Sequence, residues 1–221
     1  MIEEVEKSSI IIKKCLMNCD GDFGDLSAPL PNKSFFWIIA GPGGSGKTNL
    51  LQNLFRRPRN FRNYFKKFKN IIIASPPSSR ASLIKDVFGC PGVIECDELS
   101  GDYRTCLIID DLTSSLKNND VMKELSNLIN NRRHLRLSIF LLVQYYNSIP
   151  LQIRRLTTNL TMFKPNNKKE LLSMFDELLP VRKKELEKVE KFIFDEPHNF
   201  LYLDVVAGDI YKNFNKLKIT E

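Results

Sequence analysis

The chain has 221 residues and a net charge of +7, from 33 lysines and arginines against 26 aspartates and glutamates. Its 43% hydrophobic residues are enough to bury a core, so a disordered chain is excluded and one α/β domain is expected. Its longest apolar runs, such as residues 139–143, are far shorter than the roughly 20 residues of a membrane helix, so no membrane span is expected.

Cysteine and histidine usage excludes two further classes of protein. The 5 cysteines are odd in number and form no C-x-x-C pair, and the 2 histidines have no metal-ligand spacing. A disulfide scaffold and a zinc site are therefore not expected. The chain opens Met-Ile-Glu-Glu, whereas a secretory signal opens with basic residues, so no secretion signal is expected.

In chain order, residues 1–33 are predicted to be an N-terminal extension, with a short strand at 8–15 followed by a loop. From residue 34 to residue 221, apolar strand-like segments alternate with helix-like segments. Strands are predicted at 34–40, 70–75, 93–96, 105–110, 137–143, 159–163 and 199–206. Helices are predicted at 48–55, 81–88, 121–133, 150–155, 168–179 and 181–194. Because most of the strands are apolar throughout, they indicate an α/β fold with a mainly parallel sheet flanked by helices.

The strand predicted at 34–40 leads through a glycine-rich loop into the helix predicted at 48–55. The loop matches G-x-x-x-x-G-K-[ST], the phosphate-binding pattern, in the strand–loop–helix context that this pattern requires. Lys47 is expected to reach the β- and γ-phosphates, and the Thr48 hydroxyl is expected to ligate Mg²⁺. The alternative is a glycine-rich turn that only caps a helix. The predicted nucleotide-binding residues are Gly41, Pro42, Gly43, Gly44, Ser45, Gly46, Lys47, Thr48 and Asn49.

The strand predicted at 105–110 ends in two acids, Asp110 and Asp111. Adjacent carboxylates repel each other, so packing does not explain them, whereas a Mg²⁺ ion and a water that needs activation explain both. Asp110 is expected in the metal shell, as a Walker B acid, and Asp111 is expected to polarise the attacking water. The alternative is that the pair caps the next helix, since Asp is a favoured capping residue.

Gln144 follows the strand predicted at 137–143 and is expected to face the crevice at the carboxyl edge of the sheet. Its amide there can hydrogen-bond a γ-phosphate oxygen or the attacking water. Arg132 and Arg133 lie before that strand, and Arg154 and Arg155 lie after it. An arginine of either pair could supply positive charge to the transferring phosphoryl group, also of a neighbouring subunit. The alternative for Gln144 is a polar residue that merely ends a strand. The alternative for the arginines is that they are solvated or face DNA.

We call residues 55–69 the basic stripe, because no acidic residue occurs between Thr48 and Asp86. Its cations are Arg56, Arg57, Arg59, Arg62, Lys66, Lys67 and Lys69. Its aromatic residues at positions 61, 64, 65 and 68 have helical spacing and are expected to pack on the domain, which leaves the cations outward. Such a surface favours sequence-independent, salt-sensitive contacts with nucleic-acid phosphates, although a merely solvated face has the same composition.

The ordered set of motifs resembles the FtsK–HerA superfamily, in particular the genome-packaging ATPases of poxviruses, other large DNA viruses and their virophages. The set comprises Gly41–Thr48, the strand that ends in Asp110-Asp111, Asn131-Arg-Arg-His134 before the strand that ends at Gln144, and Ile149-Pro-x-x-Ile-Arg154. The superfamily position for a trans-acting arginine matches Arg133 best and Arg154 second. Many members carry Glu where this chain carries Asp111.

This resemblance implies a RecA-like core with an additional strand and an ATP- and Mg²⁺-dependent motor. It further implies a homo-oligomeric ring, a pentamer or hexamer, that pumps double-stranded DNA into a capsid. The implied partners are viral capsid or portal-like vertex proteins. The implied location is the virion or the viral assembly site in the host cell cytoplasm.

Two other classes of function stay open from the residues alone. A P-loop kinase would pass the γ-phosphoryl group to a nucleoside or small metabolite, and the basic stripe could imitate its arginine-rich lid. An ATP-gated adaptor would bind nucleotide and a partner with little hydrolysis. A GTPase is disfavoured because N-K-x-D is absent and Asp110 is not followed by x-x-Gly. The second acid and Gln144 favour water as the acceptor.

Overall fold

The computed structural model describes residues 22–56, 62–76, 103–112, 114–178 and 186–218. Within these ranges, eight strands form one sheet in the order β2-β3-β4-β1-β5-β6-β7-β8. The strands are β1 Phe36–Ala40, β2 Asn70–Ala74, β3 Thr105–Asp110, β4 Leu137–Val143, β5 Asn159–Phe163, β6 Phe200–Asp204, β7 Asp209–Lys212 and β8 Asn215–Lys216. Strands β1 to β5 pair in parallel, and β6 to β8 continue the sheet antiparallel from β5. The predicted mainly parallel sheet is confirmed.

The order of the parallel strands places β4 between β1 and β3. The strand that leads into the phosphate loop is therefore separated from the strand that ends in the acid pair. A strand at the position of β4 is the defining feature of the additional-strand class of P-loop NTPases. It places Gln144, which follows β4, between the phosphate loop and the acid pair. The predicted fold class is confirmed.

Helices cover both faces of the sheet. They are α1 Lys47–Phe55, α2 Asn119–Asn131, α3 Leu151–Arg154, α4 Lys168–Leu178 and α5 Leu186–Ile193, with 3₁₀ turns at Ser115–Lys117 and Tyr146–Ser148. Helix α1 packs on one face, and α2, α4 and α5 pack on the other. Every residue of the central strands β1, β4 and β5 is buried, as expected for parallel strands that are covered on both faces.

The described part of the predicted N-terminal extension packs against the domain. Phe23 is 4% exposed and belongs to the same apolar cluster as α1. The Tyr64 hydroxyl donates to the Pro31 carbonyl at 2.7 Å, and the Tyr202 hydroxyl donates to the Pro29 carbonyl at 3.0 Å. Residues 22–33 therefore contribute to the core on this face of the sheet.

Strands β7 and β8 are not predicted from the sequence. Their segments are short and carry charged residues among few apolar ones, so they lack the apolar runs that identify the buried strands. The strands predicted at 8–15 and 93–96 and the helix predicted at 81–88 lie outside the described residues. In the part of the chain that the structure describes, none of the helices has both the length and the apolar character needed to cross a bilayer.

Candidate active site

The carboxyl ends of three neighbouring strands meet at one edge of the sheet. In the parallel register, Ala40 at the end of β1 is level with Val143 at the end of β4. Leu142 of β4 is level with Asp110 at the end of β3. The phosphate loop, the strand-ending glutamine and the second acid follow these three ends directly in the chain. The structure therefore brings the three predicted motifs to the same edge.

Glycines shape the phosphate loop in two ways. A Cβ atom at Gly41 would lie only 2.7 Å from the Cβ atom of Phe163, so no larger residue fits there. Gly44 and Gly46 have φ angles of +73° and +110°, a left-handed backbone that glycine adopts without steric cost. Helix α1 begins at Lys47, so its N-terminus, with its partial positive charge, faces the loop.

The Lys47 side chain folds back onto its own loop. Its Nζ atom donates to the carbonyl oxygens of Gly41 at 2.6 Å and Pro42 at 2.9 Å. Burial lowers the pKa of Lys47, while the charges of Asp110 and Asp111 act in the opposite direction. The ammonium group therefore lies against the phosphate loop and within electrostatic influence of both acids. Its contact with the phosphates of a nucleotide stays a prediction.

Asp110 and Thr48 are the predicted magnesium ligands, and the surroundings of Asp110 suit a cation. Asp110 is 9% exposed, and burial raises its pKa, with a further rise from the Asp111 carboxylate and an opposing effect of Lys47. A cation beside Asp110 would relieve this cost of ionisation. Carboxylate and hydroxyl oxygens suit Mg²⁺, which usually takes only one or two protein ligands and completes its shell with phosphate oxygens and water. Among the described residues, no group of three or more His, Cys, Asp and Glu side chains could hold a metal by itself.

Asp111 turns away from the strand direction and contacts Gln144. Its φ angle is +54°, a left-handed conformation that a short polar side chain tolerates better than most. Its N–H donates to the Leu142 carbonyl at 3.3 Å, and its two carboxylate oxygens accept from Gln144 Nε2 at 3.2 and 3.1 Å. The next α-helix, α2, is instead capped by Asn118, whose side chain accepts from Asp120 N at 2.9 Å. The acid pair is therefore not the cap of α2.

Two side chains that the sequence does not single out lie against the phosphate loop. The Nδ1 atom of His198 lies 3.0 Å from the Ser45 carbonyl oxygen, which can only accept, so Nδ1 is assigned the proton. A Cβ atom at Gly46 would lie 3.4 Å from Phe163 Cε1 and 3.5 Å from His198 Nδ1. No sequence pattern indicates these contacts, because His198 and Ser45 are 153 positions apart and meet only in the folded chain.

The two predicted arginines differ in their surroundings within the subunit. Arg133 lies in the turn before β4, and the seven residues of that strand place it on the order of 20 Å from its own phosphate loop, at about 3.3 Å per residue. Arg154 ends α3, in the segment that leads to the start of β5 at the amino edge of the sheet, and donates through Nη1 to Glu177 Oε1 at 2.7 Å and to Asn147 Oδ1 at 3.2 Å. The structure therefore separates Arg133 from the phosphate loop of its own subunit and pairs Arg154 with Glu177 and Asn147 of its own subunit.

Two described aromatic residues of the basic stripe, Tyr64 and Phe68, pack inward, and a turn and not a helix carries them; Phe61 lies outside the described residues. Tyr64 is 0% exposed and Phe68 is 8% exposed, both in the apolar cluster that contains α1. The Asn63 side chain accepts from Phe65 N at 3.0 Å, and Lys66 has a left-handed backbone with a φ angle of +56°. These two features interrupt a helix, so the helical spacing of the aromatic residues does not reflect one.

Most of the described cations of the basic stripe are exposed. Arg62 pairs with Asp25 at 2.9 Å, with 66% and 79% of the two side chains exposed, and such a pair adds little stability. Lys67 is half-buried and donates to the Phe23 carbonyl at 3.1 Å. The exposed cations are Arg56, Arg62, Lys66 and Lys69. Arg57 and Arg59 lie outside the described residues.

The sheet order and the motifs at its edge define the chain as a P-loop ATPase of the additional-strand class. The family model described as Poxvirus A32 protein matches residues 94–212, more than half of the chain, and the chain belongs to this family. The resemblance to viral genome-packaging ATPases is thereby confirmed. No curated protein sequence matches the chain significantly.

Solved structures of viral packaging enzymes have the same fold. The DNA-packaging ATPase B204 from Sulfolobus Turreted Icosahedral Virus is 16% identical, with a TM-score of 0.58 over 84% of this chain and 98% of that chain. The genome packaging NTPase B204 from Sulfolobus turreted icosahedral virus 2, in complex with sulfate, is 19% identical, with a TM-score of 0.59 over 85% and 98%. The latter protein in complex with ATP-gammaS is 17% identical, with a TM-score of 0.55 over 81% and 96%. At identities of 16% to 19%, these similarities support the fold assignment alone.

Proposed function

We propose that this protein is a motor that hydrolyses ATP to translocate double-stranded viral DNA into a capsid. The observation that carries the proposal is the contact between Asp111 and Gln144 at the edge where the phosphate loop lies. An acid held at this place provides a base for water, which a nucleotide-binding adaptor does not need. Family membership and the packaging function in the names of the solved relatives support the same reading.

In this function, residues 41–49 bind the phosphates of ATP through backbone N–H groups, and Lys47 neutralises their charge. Thr48 and Asp110 hold Mg²⁺. The bound ion supplies charge that stabilises the transferring phosphoryl group. Asp111 accepts a proton from water as the water oxygen forms a bond to the γ-phosphorus, and Gln144 orients that water or a γ-phosphate oxygen. The bond to the β-phosphate oxygen breaks, and ADP and inorganic phosphate leave.

The position of Arg133 fits a subunit ring. Because Arg133 precedes β4 at the amino edge of the sheet, it is too far from its own phosphate loop to contact the nucleotide bound there. We assign it the role of a trans-acting arginine in a homo-oligomeric ring, a pentamer or hexamer. Residues 34–221 form the ATPase domain in this proposal, and residues 1–33 form the N-terminal extension.

The basic stripe is the proposed DNA-binding surface. Its cations Arg56, Arg57, Arg59, Arg62, Lys66, Lys67 and Lys69 suit phosphate contacts that carry no sequence information. Phe55, Tyr64 and Phe68 are buried in the domain and are not available to stack on bases, so we expect this surface to bind DNA mainly through its charge. Capsid or portal-like vertex proteins are the further proposed partners, and the virion or the viral assembly site in the host cytoplasm is the proposed location.

A product assay tests the proposal against a kinase and an adaptor. The purified protein is incubated with Mg²⁺ and ATP, alone and with nucleosides and small metabolites, and all phosphorylated products are separated. We expect equal amounts of ADP and inorganic phosphate, with no phosphorylated acceptor. A phosphorylated nucleoside or metabolite would identify a kinase, and nucleotide binding without phosphate release would identify an adaptor. Lys47→Ala, which removes the cation of the loop, is the control for contaminating ATPases.

A further inference from the structure

The 3₁₀ turn that follows Gln144 is tied to helix α4 by two hydrogen bonds to one carboxylate. Tyr146 begins this turn and is fully buried, and its hydroxyl donates to Glu177 Oε2 at 3.0 Å. The other oxygen of Glu177 accepts from Arg154 Nη1 at 2.7 Å, and the same Nη1 donates to Asn147 Oδ1 at 3.2 Å. Glu177 thus connects the turn to the end of α3 as well as to α4.

Several features make these contacts more than a surface ion pair. The side chains of Arg154 and Glu177 are only 12% and 24% exposed. The guanidinium carbon of Arg154 lies 5.0 Å from the centre of the Tyr146 ring, within the range of cation–π attraction. Burial raises the pKa of Glu170 on α4, which is 7% exposed, and the backbone N–H of Asn147 opposes this rise, so a second acid of α4 faces the turn. Shielded, charge-assisted hydrogen bonds are stronger than exposed ones, so the turn is held in one conformation.

We propose that Arg154, Glu177 and Tyr146 form a clamp that positions Gln144 against Asp111 within one subunit. Only Tyr145 separates Gln144 from the clamped turn, so a change in the turn moves the glutamine directly. In this assignment Arg154 is a positioning residue and does not act on the nucleotide of a neighbouring subunit. The inference rests on the proposed hydrolytic function of the Asp111–Gln144 pair.

The clamp and a trans-acting finger predict different sizes of effect. An arginine finger contributes roughly 10³–10⁵ in rate, whereas a displacement of about 1 Å in a positioned group costs on the order of 10²-fold. We therefore expect Arg154→Ala to lower kcat by roughly 10- to 100-fold and to leave the KM for ATP unchanged, because the phosphate loop is intact. Arg154→Lys should recover part of the loss, since it keeps the charge but contacts fewer partners.

A double-mutant cycle between Arg154 and Glu177 is the test. If the clamp exists, Glu177→Gln lowers kcat like Arg154→Ala, and the double variant is no slower than the slower single variant. Tyr146→Phe removes one hydroxyl but keeps the buried ring, so it stays folded and lowers kcat in the same direction. If Arg154 is a finger, Glu177→Gln leaves kcat unchanged or raises it, and Arg154→Ala lowers it by 10³-fold or more; this result overturns the inference.

Phosphate release by the wild type and by a matched control variant distinguishes failure of the clamp from failure of the proposed hydrolytic function. Lys212→Ala breaks another close ion pair, with Asp195 at 2.6 Å, on the antiparallel side of the sheet, and it should leave kcat unchanged. If the wild type releases no phosphate, the proposed function fails. If the wild type is active and Glu177→Gln, Tyr146→Phe and Arg154→Ala all match it, the clamp alone fails. Thermal unfolding of each variant shows that it is folded.

Discussion

Gln144 donates its Nε2 group to both carboxylate oxygens of Asp111, at 3.2 and 3.1 Å. The pair connects the ends of β4 and β3 at the edge where the phosphate loop lies. A carboxylate oxygen can accept more than one hydrogen bond, so a water molecule can bind Asp111 while Gln144 stays in contact with it. We therefore expect the pair to persist when ATP binds, with the amide beside the water that Asp111 activates.

Removing the charge of Asp111 separates hydrolysis from binding. In Asp111→Asn we expect turnover to fall by about 10²–10⁴-fold, because an amide cannot accept the proton of water. ATP binding should persist, since the loop and Lys47 are unchanged. Phosphate release and titration with a non-hydrolysable ATP analogue measure the two properties. Asp120→Asn, at an exposed acid in the first turn of α2, is the control. Unchanged turnover in Asp111→Asn would contradict the assignment.

Two glycines of the phosphate loop should respond differently to alanine. The Cβ atom of Gly41→Ala meets Phe163 Cβ at 2.7 Å and Ser45 Oγ at 2.8 Å, whereas that of Gly43→Ala meets nothing within 4 Å. Overpacking costs roughly 1–3 kcal/mol, so Gly41→Ala should lower the melting temperature by several degrees and weaken ATP binding. Gly43→Ala should melt like the wild type without nucleotide. Equal melting temperatures for both variants would show that the loop is not packed as described.

Ionisation of the buried Asp110 should lower the stability of the folded protein. The folded pKa of Asp110 is raised, first by burial and then by Asp111, so the folded protein binds a proton at pH values where the unfolded chain has lost it. Ionised Asp110 therefore lowers stability at neutral pH, and this cost disappears as the pH falls through the raised pKa. We expect Asp110→Asn to melt above the wild type at pH 7 without Mg²⁺, with a difference that shrinks on acidification, and to lose Mg²⁺-dependent hydrolysis.

Melting curves of both proteins between pH 4 and pH 8, a range set by the usual and raised pKa values of a carboxyl group at about 4 and above, check this expectation. Asp120→Asn again provides the control, because its carboxylate is exposed. A melting temperature of Asp110→Asn at or below that of the wild type at pH 7 would mean that Asp110 is stabilised by a neighbour and does not need a cation.

The separation of Arg133 from its own phosphate loop predicts complementation between subunits. Arg133→Ala and Lys47→Ala should each be inactive alone, with a rate loss of roughly 10³–10⁵ for a finger. Mixed rings should regain activity, because a Lys47→Ala subunit supplies Arg133 to an intact loop. The same mixing with Arg154→Ala should give no recovery, since Arg154 serves its own site. Mixtures with Arg133→Ala that stay inactive would place the finger elsewhere.

Neutralising one end of the basic stripe should uncouple DNA from hydrolysis. With Arg56, Arg57, Arg59 and Arg62 changed to alanine, we expect weaker DNA binding, a smaller dependence of that binding on salt, and unchanged ATP binding. The matched control changes four exposed lysines on α2, α5 and the first 3₁₀ turn, namely Lys117, Lys123, Lys188 and Lys191. Loss of ATP binding in the arginine variant would show that the stripe supports the fold and does not bind DNA.

Local sequence patterns were sufficient for the elements that bury apolar runs. Strands β3, β4 and β5 have the predicted bounds because each is a continuous buried segment between polar residues. The phosphate loop and the acid pair are also local patterns. The contacts of His198 with Ser45 and of Arg154 with Glu177 join distant positions, and no periodicity or motif reports such a contact. Strands β7 and β8 escaped prediction because their pairing, and not their composition, makes them strands.

The most direct test of the account is the rate of ATP hydrolysis with and without long double-stranded DNA over a series of salt concentrations. A packaging motor with a phosphate-binding surface should hydrolyse ATP faster with DNA, and the DNA concentration needed for half of this effect should rise steeply with salt. The rate without DNA should change little over the same series. A rate that DNA does not change at any salt concentration would contradict the central claim that this site drives DNA movement.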